Sequence, residues 1–323
     1  MTRHILVAVE LLLCLGAGLS AQHVIAAESA AASVKVLRVG RQLSNPGPID
    51  PAQVNSISGA NIIENIFEPM LQYDYLARPL KLVPNTLVAM PVVSAGGLIY
   101  VCQLKRGILF APDPAFKDKP RELTAADYAY SIRRLFDPRY LSSQFFMVDG
   151  KIAGANALRD AALAGKPFDY EKPIAGLTVL DRYTLRITLT KPDFNFGYVL
   201  AHNGNAIVAR EVVEKYPNDV QSHPVGSSAY YLKEWVRGQR MVLEKNPYWR
   251  GGTWDFKASG KNPYDETIVT AMKGKPIAVI DRVEIYPIEE EQTRWLAFKN
   301  VQLDILNMPQ SFIKHLYKEQ LKA

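Results

Sequence analysis

Two stretches of strict alternation constrain most of what this chain can become. Over residues 177–190, Leu177, Val179, Tyr183, Leu185, Ile187 and Leu189 alternate with polar neighbours such as Thr184, Arg186, Thr188 and Thr190. Successive side chains on a strand point to opposite faces, so the pattern predicts a hairpin with one buried and one wet face, turning at Asp181-Arg182. A second hairpin is predicted over residues 230–245, turning at Arg237-Gly238-Gln239. Elsewhere the spacing is helical. Ile62, Ile63, Ile66, Phe67, Met70 and Leu71 share one face of a predicted helix, with Ser58 as its N-cap. Thr124 opens another, with Asp127 in the capping-box position. Tyr128, Ile132 and Leu135 line its inner face, and Asp137-Pro138 ends it. Further strands are predicted at 36–40, 98–104 and 281–287, with a strand-like run at 303–306. A helix is predicted at 289–299, its acids placed where the helix dipole favours them, and a short polar helix after it. Strands and helices mixed along the chain predict an α/β (mixed α+β) fold class.

With 323 residues, 48% of them hydrophobic and 22% charged, the chain can bury sizeable cores in two domains. Its net charge of +6 comes from interspersed signs, as in 282–294, and no basic cluster forms a phosphate-tracking face. Nucleic acid is therefore excluded as a partner. Arg3 and His4, an apolar run over 5–19 and the small residues of 21–29 have the order of an export signal. That run is shorter than the ~20 residues of a comfortable membrane span, and it carries Glu10, so a cleaved signal over 1–27 is expected. With Cys14 removed, Cys102 stands alone, which leaves no disulfide and no thiolate cage in the mature chain. In its strand-like setting Cys102 reads as a small buried hydrophobe.

Motifs of chemistry are missing. Gly226-Ser227-Ser228-Ala229-Tyr230 lacks the second glycine of a nucleophile elbow, and there is no HExxH, P-loop or strand-borne GxGxxG. His202, His223 and His315 are scattered without metal-ligand spacing, and Glu289-Glu290-Glu291 reads as a helix start. The chain is expected to use no catalytic residue, metal or cofactor. A secreted hydrolase is the less favoured alternative, because carboxylate sites leave no local motif.

Five segments, in order, resemble the family-5 extracellular solute-binding proteins of ABC importers, the peptide- and nickel-binding type. They are Leu104-Lys105-Arg106-Gly107-Ile108-Leu109-Phe110, then Leu123-Thr124-Ala125-Ala126-Asp127 with Asp137-Pro138, then Tyr183 to Pro192. The fourth is Val225 to Tyr230, where the family reads Val-Gly-Thr-Gly-Pro-Tyr, and the fifth is Lys245-Asn246-Pro247-Tyr248-Trp249. At Gly226-Ser227-Ser228-Ala229 the chain departs from the family by losing one glycine and one proline, so the loop backbone is less pre-set.

The resemblance implies a periplasmic-binding-protein-like, two-lobe architecture. Residues 34–288 would form the first lobe, with an inserted subdomain at about 76–175, and 289–323 would begin a second lobe that is largely missing. It implies a periplasmic component of an ABC importer that binds peptides or similar small solutes and delivers them to an inner-membrane permease. The alternative is a non-functional or partner-dependent fragment of such a protein. Loops on a rigid scaffold usually carry recognition. The expected ligand-facing residues are accordingly Asn45, His202, Asn203, Ser227 and Ser228, with Tyr230 at the end of that loop. The plain reading of Tyr230 is a core or sheet residue of its hairpin.

Overall fold

The computed structural model describes residues 34–42, 45–258, 263–308 and 312–313. The expected signal segment, Cys14, His315 and the polar helix expected at the chain's end lie outside the described residues.

The chain opens with β1 (Val36–Arg41) and α1 (Ile57–Ile66), followed by the short strands β2 (Leu71–Tyr73), β3 (Leu82–Pro84) and β4 (Val92–Ser94). Then come β5 (Ile99–Gln103), α2 (Ala125–Arg134), α3 (Ala155–Leu163), and the hairpin β6 (Leu177–Asp181) and β7 (Thr184–Thr188). Two short helices, α4 (Phe196–Leu200) and α5 (Arg210–Lys215), precede the second hairpin, β8 (Tyr230–Val236) and β9 (Arg240–Lys245). The described elements end with α6 (Pro263–Met272), β10 (Arg282–Pro287) and α7 (Glu291–Lys299). A single bridge, Val39 to Ile305, is what remains of the strand expected at 303–306.

Two four-stranded sheets organise these elements, in the orders β1-β10-β9-β8 and β4-β5-β7-β6, with β2 and β3 paired separately. β1 runs parallel to β10, Val36 opposite Arg282, while the other pairs of that sheet are antiparallel. A parallel pair needs a long crossover. Here the whole intervening chain, including the second sheet, supplies it. The second sheet takes strands from residues 92–188, so the pairing continues past residue 175.

Each sheet has its own core. Tyr100, Cys102, Leu185 and Ile187 of the second sheet pack with Tyr128, Ile132 and Phe136 around α2. Ile62, Ile63 and Ile66 of α1 pack with Tyr230, Met241 and Leu243 of the first sheet. The alternation read from 183–190 is obeyed: Leu185, Ile187 and Leu189 are buried, and their neighbours are not. Burial pushes the Cys102 thiol up to about 12, as suits an inert core residue. The turn of the second hairpin rests on Gly238, whose φ of +72° is a left-handed conformation that costs glycine little.

The caps are partly as expected. Asp127 accepts from the backbone N–H and the hydroxyl of Thr124, both at 2.8 Å, which completes the capping box of α2. α1 begins earlier than expected: its cap is Ser56, whose Oγ accepts from Gly59 N at 3.0 Å, and Ser58 lies inside the helix. It also ends earlier. Phe67 is extended, and Pro69 two residues on cannot continue a helix. Phe67, Met70 and Leu71 are buried all the same, so helical spacing persisted in residues whose burial has another origin.

Arg134 on α2 is tied to Asp50 by two hydrogen bonds of 3.0 and 2.8 Å, and each side chain is only 1% exposed. The pair fastens the proline-rich 45–51 loop to the helix. A buried charge is tolerable only while its partner stays, and breaking such a pair costs about 3–5 kcal/mol. Arg134→Met is therefore expected to lower the urea midpoint by a stability loss of that order. Combining it with Asp50→Leu should restore part of the loss, because no orphan charge remains. Arg240→Ala, which breaks a surface pair with Glu234, should leave the midpoint where it was.

Candidate functional site

The chain crosses between the two cores several times, and three of the crossings fall in one place. Phe67 belongs to the core of the first sheet and Met70 to that of the second, so Glu68-Pro69 lies on the seam. Residues 202–205 cross from Ala201 to Ala206, and residues 226–229 cross from Val225 to Tyr230. A cavity of about 1460 Å³ opens over these crossings. That exceeds the roughly 300–1,000 Å³ of a pocket for a small drug-like ligand. The loop 249–256 forms a further wall. It is held by backbone bonds to 274–277 and by a cluster of Tyr75, Trp254 and Phe256 rings.

Glu68 fixes the floor. Its carboxylate is almost fully buried, and Arg250 grips it through two bonds of 2.7 Å. Ser227 Oγ donates to it at 2.8 Å. Burial works against the charge of Arg250, but the hydrogen bonds and charge of Glu68 outweigh it and raise its pKa. Lys105 stands beside them, its Nζ donating to the Asn85 carbonyl at 2.8 Å. Burial, and then the neighbouring Arg250, lower its pKa. Phe67, Tyr73, Trp249 and Phe256 give the walls apolar surface, and Glu64, Asp74 and Asp255 add acids.

Of the residues expected to face ligand, His202, Asn203 and Ser228 line this cavity. His202 Nδ1 accepts from Gly204 N at 3.0 Å, which places the proton of the neutral ring on Nε2. Burial lowers its pKa, favouring that neutral form. Asn203 Nδ2 donates to Glu64 at 2.6 Å. The other three lie elsewhere. Asn45 folds back to accept from Gly47 N at 3.0 Å. Ser227 is buried behind the wall on Glu68, and Tyr230 is buried with its hydroxyl on the Ile280 carbonyl at 2.9 Å. Sequence reasoning missed Glu68, Lys105 and Arg250. A signal existed for the first: an acid between Phe67 and Pro69, in an otherwise apolar run, demands a buried partner.

The model of the bacterial extracellular solute-binding proteins, family 5 (Middle), matches residues 81–323, more than half of the chain. The periplasmic oligopeptide-binding protein OppA of Escherichia coli K12 is 28% identical over 280 residues, 84% of this chain and 43% of that protein. The glutathione-binding protein GsiB of Salmonella choleraesuis is 26% identical over 86% of this chain and 47% of its own length. Among solved structures, the E. coli murein tripeptide-binding protein MppA matches with a TM-score of 0.65, 23% identity, and coverage of 89% and 48%. The Helicobacter pylori DppA in complex with the peptide STSA matches with a TM-score of 0.64, 19% identity, and coverage of 88% and 48%. These likenesses show the periplasmic peptide-binding fold. The chain spans about half the length of the proteins it matches.

Gly226 tests how this site is built. A Cβ there would lie 2.0 Å from the Ile66 carbonyl oxygen, where backbone packs on backbone and no rotamer gives relief. Gly226→Ala is expected to cost about 1–3 kcal/mol or more, read as a lower thermal midpoint. Ser228→Ala, two residues on and only half buried, should leave the midpoint nearly unchanged.

Proposed function

The chain belongs to the family-5 bacterial extracellular solute-binding proteins, and from that premise we propose that it is the substrate-binding component of an ABC importer. It binds peptides or similar small solutes and delivers them to an inner-membrane permease. The carrying observation is the 1460 Å³ cavity over the seam, whose walls alternate aromatic surface with hydrogen-bonding and charged groups. A solute with a polar backbone and varied side chains needs both kinds of wall. Relatives named for oligopeptide and glutathione binding support the same reading, and they are substrate-binding proteins rather than enzymes.

A peptide panel tests the proposal. At 100 times its Kd, a ligand that binds only the folded state stabilises it by about 2.7 kcal/mol. At least one peptide should raise the melting temperature accordingly, and mass spectrometry should find it intact afterwards. Product that tracks the protein through purification, or a panel without any shift, would overturn the reading. The coverage of the relatives supports a second one, a partner-dependent form in which further protein encloses the ligand. Micromolar binding by the 323-residue chain alone argues against that form.

Export follows from the first reading, in keeping with a relative named as periplasmic. Mass spectrometry of the periplasmic fraction should find a mature N-terminus between Ala21 and Ser29. An intact Met1 in the membrane fraction would count against cleavage.

A further inference from the structure

We propose that Lys105, backed by Arg250, forms a subsite for a carboxylate group of the ligand. The inference rests on the reading of the cavity as a peptide site and names a chemical group that this site selects.

The floor of the cavity brings two cations against one anion. Glu68 has committed its oxygens: Oε1 takes one Arg250 bond, and Oε2 takes the other together with Ser227. Lys105 has no carboxylate within ion-pair distance among the described residues. An ammonium offers three donors, and among the described residues the hydrogen-bond partner of Lys105 is the Asn85 carbonyl, a neutral group. The same asparagine also meets Arg250, through Oδ1 at 3.3 Å.

The remaining acids of the cavity form no ion pair with Lys105 among the described residues. Glu64 accepts from Asn203, and Asp74 Oδ1 closes its own turn by accepting from Leu76 N and Ala77 N. Asp255 lies on the 249–256 loop and makes no ion pair among the described residues. The floor group of Glu68, Arg250 and Lys105 itself carries one positive charge more than negative. Partial burial beside a second cation makes the ammonium costly, and those two causes lower the pKa of Lys105 against the opposing pull of the Glu68 charge. A ligand carboxylate would take up the idle donors and supply the missing charge through charge-assisted bonds. A neutral amide there would do the first only in part and the second not at all.

The carboxylate has two possible sources in a peptide, its C-terminus or an acidic side chain. Calorimetry on the full chain with three probes separates them: Ala-Ala-Ala, its C-terminal amide, and Ala-Asp-Ala amide. Wild type is expected to bind at least one carboxylate-bearing probe about tenfold or more tightly than Ala-Ala-Ala amide, with the winner naming the source. Lys105→Met should bring that ratio close to one, because affinity for the carboxylate-bearing probe falls far more than affinity for the amide. Lys105→Arg should keep the preference, which a purely structural role for the side chain would not require. The wild-type ratio needs no variant, so the proposal is decided even where Lys105→Met fails to fold. Equal affinity for all three probes would overturn the subsite and leave the peptide reading standing. Binding of none of them, nor of any peptide in the panel, would remove both.

Discussion

The cavity depends on one buried carboxylate. Glu68 joins three segments that the sequence separates widely: the end of α1, the 226–229 loop through Ser227, and the 249–256 loop through Arg250. A carboxylate this dry is unfavourable by itself, and it is kept because each oxygen accepts a hydrogen bond from a fixed donor. The consequence reaches the walls of the cavity. Arg250 starts the loop that forms one wall, and Ser227 anchors the loop that forms another, so the shape of the cavity follows from the coordination of this one group. Gly226 adds a steric condition to the electrostatic one, because only a residue without Cβ lets its loop lie against the Ile66 carbonyl.

The seam explains why the site lies here. Two cores, each with its own sheet, are stitched by segments that must leave one apolar cluster and enter the other. Such segments cannot complete a helix or strand, and their backbone groups have to be satisfied by turns and side chains. Ser228 N donates to the Ile66 carbonyl, and Asn246 Nδ2 donates to the Ser228 carbonyl. His202 takes up Gly204 N in the same way. The residues that repair the crossings are therefore polar, and they stand around an open space. A polar-lined cavity arises from the cost of passing between cores. The parallel pairing of β1 with β10 holds the frame around it, since it brings residues 36 and 282 side by side.

Elements that obey a local period were legible in the sequence, and contacts across the seam were not. Both hairpins, the capped start of α2 and the strand paired with β1 follow from alternation and turn chemistry acting over a few residues. The over-long reading of α1 shows the limit of that logic. Phe67, Met70 and Leu71 are buried at helical spacing, yet Phe67 faces one core while Met70 and Leu71 face the other. The same limit governs the site. Loop position singled out His202, Asn203 and Ser228 as ligand-facing, and these three line the cavity, because loops at element ends are where the seam is crossed. It could not separate Ser228 from Ser227, neighbours whose side chains go to opposite sides of one wall. Nor could it reach Lys105 and Arg250, whose roles exist only once residues 68, 85, 105 and 250 have been brought together.

That wall also gives meaning to the chain's departure from the family pattern. Where the family reads Val-Gly-Thr-Gly-Pro-Tyr, this chain keeps the first glycine, replaces threonine by Ser227, and changes the next two residues to Ser228 and Ala229. The positions that keep the family's residue or its hydroxyl are the ones with no freedom. Gly226 has no room for a side chain, Ser227 preserves the hydroxyl that Glu68 requires, and Tyr230 fills the core and bonds the Ile280 carbonyl. The altered positions, Ser228 and Ala229, are the two that line the cavity. Substitution there changes the surface of the cavity without touching the carboxylate that holds the loop. The architecture thus separates what must be kept for the cavity to exist from what can vary on its surface, with the two variable residues lying side by side between Ser227 and Tyr230.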